Sequence, residues 1–192
     1  MSAAAKHDLG PHTVEEWLAV DPPEDGSRLE LIHGCFHISP PPTAMHQYMA
    51  SRLARRVDDA AAAAGRGDLY TVPAAGAKIS SVLRTGLIPD LMVVNVHPTE
   101  FDYGEPGHLE LVVEVWSRGN RRSERSSKMT AYAAAGVPFF WAVETLDGGP
   151  EITAYELKAG AYREAVTAKP GNTATITASP VPVTLDPAVL VA

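Results

Sequence analysis

Leu109-Glu110-Leu111-Val112-Val113-Glu114-Val115-Trp116-Ser117 is the stretch on which the reading of the fold turns. It runs apolar almost without alternation, as does Leu91-Met92-Val93-Val94 before it. A strand that shows no polar face is one buried on both sides, in the middle of a sheet. Glu114 is embedded in one such strand, and Asp90 follows Pro89 at the head of the other. A carboxylate in either place costs free energy unless a metal or a cationic side chain partners it.

Working outward, Thr13-Val14-Glu15-Glu16 spells a capping box and predicts a short helix through about Val20. Pro22-Pro23 and Asp25-Gly26 stop it. Residues 28–32 and 35–38 then flank His33-Gly34, a tight hairpin turn, and Pro40 to Pro42 close that unit. Thr43 caps a long helix over about 44–64, where Met45, Met49, Leu53, Val57, Ala61 and Ala64 recur at spacings of three or four as one apolar stripe. Strands are expected at 70–72, 77–80, 91–96 and 109–115. A second helix over about 124–135 has Ser123 as its cap, Gly136 as its left-handed stop and Pro138 just beyond. A strand at 139–144 follows, and turn signals at 147–150, 159–160 and 170–172 divide the remainder into antiparallel hairpins. This order predicts an α+β (mixed α/β) domain over residues 13–192, behind a flexible leader of residues 1–12.

The 192 residues are 45% hydrophobic and 20% charged, within the range of one ordinary globular domain. Sixteen Lys and Arg stand against 23 Asp and Glu, a formal charge of -7, which excludes a uniformly basic nucleic-acid coat. One segment departs from that balance: Arg118, Arg121, Arg122, Arg125 and Lys128 are interrupted by a single acid, Glu124. A polyphosphate would be drawn there; equally, Glu124 and Lys128, one helical turn apart, can form an ordinary surface pair with the arginines solvated. Cys35 is the only cysteine, which excludes an internal disulfide and a thiolate-rich zinc site. No stretch approaches the roughly 20 apolar residues of a membrane helix, and residues 1–12 lack a signal-peptide layout, so no membrane association and a cytoplasmic location are expected.

Two readings of the acids stand at this point. Asp90 and Glu114 sit on strands that one loop can set side by side, where two carboxylates and waters suit magnesium. Alternatively Asp90 is a solvated loop acid and Glu114 pairs with an arginine.

Five ordered blocks resemble a known family: Arg28-Leu29-Glu30-Leu31-Ile32-His33-Gly34; Ser39-Pro40-Pro41-Pro42 with His46-Gln47; Ile88-Pro89-Asp90; residues 111–117; and Lys128 with Tyr132, Gly136-Val137-Pro138 and Trp141. Over about residues 13–185 the chain resembles the bacterial Uma-type "putative restriction endonuclease" family of the PD-(D/E)XK nuclease superfamily. The resemblance implies a restriction-endonuclease-like central mixed sheet flanked by helices, with extra antiparallel hairpins at both ends. It implies a magnesium-dependent endonuclease acting on DNA, with manganese as a substitute.

By that resemblance Asp90 and Glu114 match the metal-binding acids, with the Val115 carbonyl as a third ligand. Trp116 stands where the broader superfamily has its lysine, and Lys128 fits the migrated lysine of the family. Glu30 matches an early glutamate of the acidic cluster; on an alternating strand it points away from Leu29 and Leu31, to the site or to solvent. His46 matches a histidine at the start of the long helix, lining the site or satisfying a local partner. Arg121, Arg122 and Arg125 are candidates for the nucleic-acid backbone. Cys35 departs from the family, which has a glutamate just after this glycine, and that points to weaker metal binding. A homodimer is expected, since one site must act on two strands. Two further readings remain open: a catalytically weak or inactive nuclease-like domain that binds nucleic acid or a protein partner, and a hydrolase of small phosphoesters.

Overall fold

A computed structural model describes residues 10–117, 119 and 121–192; residues 1–9 of the expected leader, and Arg118, lie outside the described residues. Thr13 caps α1 (Val14–Leu18) with the full capping box: its hydroxyl accepts from the Glu16 amide at 3.2 Å while Glu16 accepts from the Thr13 amide at 2.7 Å. The helix buries Val14 and Trp17. β1 (Arg28–Ile32) and β2 (Cys35–Ser39) form the expected hairpin, and His33 and Gly34 have φ of 51° and 78°, as a primed two-residue turn requires.

Thr43 accepts from the His46 amide to cap α2 (Ala44–Ala63), whose buried stripe is Met49, Ala50, Leu53, Val57 and Ala61. Met45 and Ala64, expected in that stripe, are exposed, because the first turn brings His46 rather than Met45 to the interior and the last turn ends in solvent. β3 (Tyr70–Pro73) and β4 (Ala77–Ser80) stand where expected. β5 (Thr85–Leu87) was not anticipated: it is too short for a periodicity, and it becomes a strand by pairing with both β1 and β4. Gly86 at its centre lies so close to the Trp17 ring that any Cβ there would collide with it.

β6 (Leu91–Val94) and β7 (Leu109–Trp116) are antiparallel neighbours. α3 (Arg122–Ala134) carries the chain back, so that β8 (Phe139–Leu146) pairs with β7 in parallel. α3 starts before the expected Ser123 cap because its first intrahelical bond is from the Arg125 amide to the Arg121 carbonyl. Gly136, at φ 81°, supplies the left-handed stop. β9 (Gly149–Lys158) and β10 (Ala161–Ala168) continue the meander, and β11 (Ala174–Ile176) pairs with β12 (Val183–Leu185) as a separate ribbon.

The described strands make a six-stranded mixed sheet, β10-β9-β8-β7-β6-β3, and a four-stranded sheet, β2-β1-β5-β4. Alternation along β6 and β7 divides the core. Leu91, Val93, Leu111, Val113 and Val115 pack with α2 and the C-terminal ribbon. Met92, Val94, Val112 and Trp116 pack with Ala131 and Tyr132 of α3 and with Ile32, Ile79 and Leu87 of the smaller sheet. All four residues of β6 are buried, as two-sided burial demands. No described helix is long and apolar enough to cross a membrane.

Candidate functional site

Leu91 pairs with Val113, so Asp90, one residue before β6, stands opposite Glu114. Side-chain alternation turns Glu114 to the same face as Val112 and Trp116, the face that α3 covers. Asp90 Oδ2 accepts from the Val115 amide at 2.7 Å, and each of the two acids is only 2% exposed.

α3 folds back across this face with Lys128 and Tyr132 one turn apart. The Tyr132 hydroxyl donates to Glu114 Oε1 at 2.9 Å, and Lys128 Nζ lies 3.3 Å from the same oxygen. Lys128 also donates to Glu30, 2.9 Å from Oε1 and 2.8 Å from Oε2. The surface pair with Glu124 is therefore not what holds Lys128, which is 5% exposed and bridges two buried carboxylates. Glu30 does face away from Leu29 and Leu31, but that face is covered by α3 and not solvated: Glu30 is 2% exposed and also accepts from the Ile88 amide at 2.8 Å. Asp90 is not a loop acid in solvent either, and the cation beside Glu114 is a lysine rather than an arginine.

Asp90 Oδ1 takes two further donors, Arg28 Nη1 and His46 Nε2, the latter at 2.7 Å. Arg28 and Tyr132 are members of the cluster for which sequence reasoning had assigned no part. The signal for each was periodicity: Arg28 is two residues before Glu30 on an alternating strand, and Tyr132 is four after Lys128 on a helix.

Burial drives the electrostatics, and the neighbours decide the signs. Loss of solvent, with the Asp90 and Glu30 charges nearby, outweighs Lys128 and Tyr132 and pushes the Glu114 carboxyl up to about 8. At Asp90 burial acts upward too, but the His46 hydrogen bond and the Arg28 charge overcome it and hold the carboxyl below its usual range. Lys128 is opposed by burial yet held cationic by Glu114 and Glu30, its ammonium raised above the ordinary lysine value. Burial and the same acids raise the Tyr132 phenol well above its ordinary value, which keeps it a donor.

The cluster forms the floor of a cavity of about 470 Å³, walled by Pro40 to Pro42 and by His46, Trp116 and Arg121. The three arginines expected to act together are divided. Arg121 lines this cavity. Arg125 is bound to Glu144 and the Ser117 carbonyl and lies 5.4 Å over the Trp116 ring, and with Arg122 it lines a separate groove along α3.

Whether this donor set suits a divalent ion is decided by what already occupies its lone pairs. Asp90 accepts three donors, and Glu114 accepts Lys128 and Tyr132. Among the described residues no group of three or more His, Cys, Asp or Glu side chains has a metal-binding arrangement. As arranged, the residues do not present a magnesium site: Asp90 Oδ1 and Glu114 Oε1 each take two of the chain's own donors, so an ion shared by those oxygens competes with Arg28, His46, Lys128 and Tyr132.

The family model described as "Uma2: Putative restriction endonuclease" matches residues 14–186. The chain is also similar to a solved structure from Anabaena variabilis ATCC 29413, titled a putative nuclease belonging to DUF820. That similarity has a TM-score of 0.71 at 13% identity, covering 95% of this chain and 100% of the other, and it bears on the fold alone. No curated protein matches the sequence.

Proposed function

This chain belongs to the Uma2 family, and with its restriction-endonuclease-like fold as premise we propose that it is a nuclease-like domain that binds nucleic acid at the acid–lysine cavity and cuts weakly or not at all. The observation that carries this reading is the engagement of Asp90 and Glu114 by the chain's own donors, three on the first and two on the second. Carboxylates neutralised from within do not repel a phosphodiester as free ones would. An incoming phosphate meets Arg121 at the cavity wall, with His46 and Arg28 behind it. Such contacts position a strand without reading its sequence. The bound strand is DNA in this proposal, and a homodimer presents two such cavities to a duplex.

A second reading, a magnesium- or manganese-dependent endonuclease, draws on one observation: Asp90 and Glu114 stand opposite each other on neighbouring strands with Lys128 in reach. In it Asp90, Glu114 and Lys128 are catalytic, with Glu30 assisting. Purified protein incubated with plasmid and single-stranded DNA, with each metal or with chelator, separates the two. Binding by fluorescence anisotropy without loss of plasmid supports the first reading. Efficient, multiple-turnover metal-dependent cleavage that disappears in Asp90→Ala overturns it in favour of the second, and absence of binding overturns both. Light scattering at micromolar concentration tests the dimer, which a monomer mass would refute.

A further inference from the structure

The outer strands of a sheet expose unpaired backbone N–H and C=O groups, and proteins ordinarily blunt them with charge, proline, bulges or covering loops. Three of the four outer strands of the two main sheets are blunted in this way. β10 carries Arg163 and Glu164 and a bulge between Glu164 and Val166. β3 is four residues long and ends in Pro73. β4 is covered, because its Lys78 amide donates to the Gly104 carbonyl at 2.8 Å. β2 has none of these devices: Cys35-Phe36-His37-Ile38-Ser39 contains no Lys, Arg, Asp, Glu or Pro, pairs with β1 without a register shift, and leaves Ile38 69% exposed. We propose that β2 is the dimer interface, pairing antiparallel with β2 of a second copy about a two-fold axis at His37 to make one continuous sheet; this deepens, and rests on, the homodimer of the reading above.

The register follows from the hairpin. Ile32 and Cys35 flank the two-residue turn and so exchange hydrogen bonds, and alternation makes His37 and Ser39 the other β2 residues bonded to β1. The N–H and C=O groups of Phe36 and Ile38 therefore point outward. Leu31, opposite Phe36, shows the same alternation by turning to Gly86 of β5. Among the described residues nothing bonds those four outward groups. A strand that meets them must offer two donors and two acceptors at the same spacing, and a second β2 does so when Phe36 of each copy stands opposite Ile38 of the other.

Two further observations favour a second copy as the occupant. Phe36 and Ile38 lie on the face of Leu31 and Leu29, so the pairing covers the exposed Ile38 with the second copy's Phe36. Each chain carries a formal charge of -7, and β2 is a segment where two copies meet without like charges. The pairing also arranges the sites. Glu30 is opposite His37, so the two Glu30 side chains stand three strand spacings, roughly 14 Å, apart on one face of the joined sheet. Both acid–lysine clusters then flank the same seam.

Light scattering at micromolar concentration, with thermal melts to confirm folding, and oxidative cross-linking on non-reducing gels test the interface. The wild type is expected at twice the chain mass, and Ile38→Lys, which puts a charge on the edge, at the single mass. In a Cys35→Ser background, His37→Cys should give covalent dimers. Residues that face each other at the axis in a non-hydrogen-bonded pair have Cα atoms about 4.5 Å apart, within disulfide reach. Ile38→Cys in the same background should not cross-link, since it faces Phe36. A dimeric wild type whose His37→Cys variant cross-links no more than Ile38→Cys, or a folded Ile38→Lys that stays dimeric, overturns the β2 interface and leaves a homodimer through another face. A monomeric wild type overturns both and leaves the free edge to an extended segment of another protein; nucleic-acid binding is read separately by the anisotropy measurement.

Discussion

The Asp90 carboxylate accepts a hydrogen bond from the Val115 amide at 2.7 Å, so a side chain continues the pairing of β6 with β7 past the end of the backbone ladder. This bond fixes Asp90 beside Glu114. It also places two buried acids next to each other, an arrangement that survives only with cations close by. Arg28 and Lys128 supply them, and His46 adds a hydrogen bond to Asp90.

Lys128→Met leaves Glu30 and Glu114 buried without their shared ammonium. The expected loss of stability near neutral pH is about 3–5 kcal/mol, the range for breaking a buried ion pair from one side. An exposed pair with Glu124 would predict a few tenths of a kcal/mol. Urea denaturation of the two proteins distinguishes these, and a loss below about 1 kcal/mol would count against the buried bridge.

Glu114 makes stability depend on pH in a defined direction. Between its ordinary value of 4.5 and its folded value of about 8, the folded chain keeps a proton that the unfolded chain has released. Stability therefore falls as pH rises through that window, by at most about 1.4 kcal/mol per pH unit from this group, and levels off above it. Asp90 acts oppositely: its lowered value contributes stability above the ordinary aspartate range that is lost as pH falls through its folded value. Glu114→Gln should flatten the slope measured from pH 5 to 8 relative to wild type. Identical slopes in the two proteins would contradict the assignment.

Tyr132→Phe removes the phenol donor from Glu114 Oε1 and leaves the ring in its packing. A cost of about 1–3 kcal/mol is expected. Loss of a donor to the charged form also pushes the Glu114 carboxyl further up, so the pH window of the preceding experiment should extend to higher pH in this variant. A variant that melts like wild type with an unshifted window would show that the hydroxyl bond contributes nothing.

Arg28→Met and His46→Ala each return lone pairs on Asp90. If the chain's own donors keep divalent ions away, manganese should raise the melting temperature of these variants more than that of wild type, in proportion to RT ln(1 + [L]/Kd). Equal shifts in all three proteins would show that Arg28 and His46 do not compete with a metal.

Most elements were legible before the structure because their signals are local. The Thr13 capping box, the His33-Gly34 turn, the two-sided burial of β6 and β7 and the Gly136 stop each depend on a few consecutive residues and appear as expected. β5 was not legible, since Thr85-Gly86-Leu87 has no strand pattern of its own and takes its conformation from neighbours on both sides. The early end of the α2 stripe at Met45 likewise depends on what lies opposite the first turn.

For the candidate site the division falls in the same place. The sequence by itself determined that Asp90 and Glu114 were misplaced acids in apolar strands, and alternation determined that Glu30 faces away from Leu29 and Leu31. It did not determine partners. Lys128 can reach Glu124 along its own helix, yet it bridges Glu114 and Glu30, the latter 98 residues away, and Arg28 meets Asp90 across 62. Strand and helix periods state which face a side chain occupies, whereas what covers that face depends on α3 folding back over the β7–β8 crossover and on the smaller sheet closing beside it. Only the tertiary structure makes that choice, because burying three acids is tolerable solely where long-range packing delivers cations and hydrogen-bond donors to them at the same time.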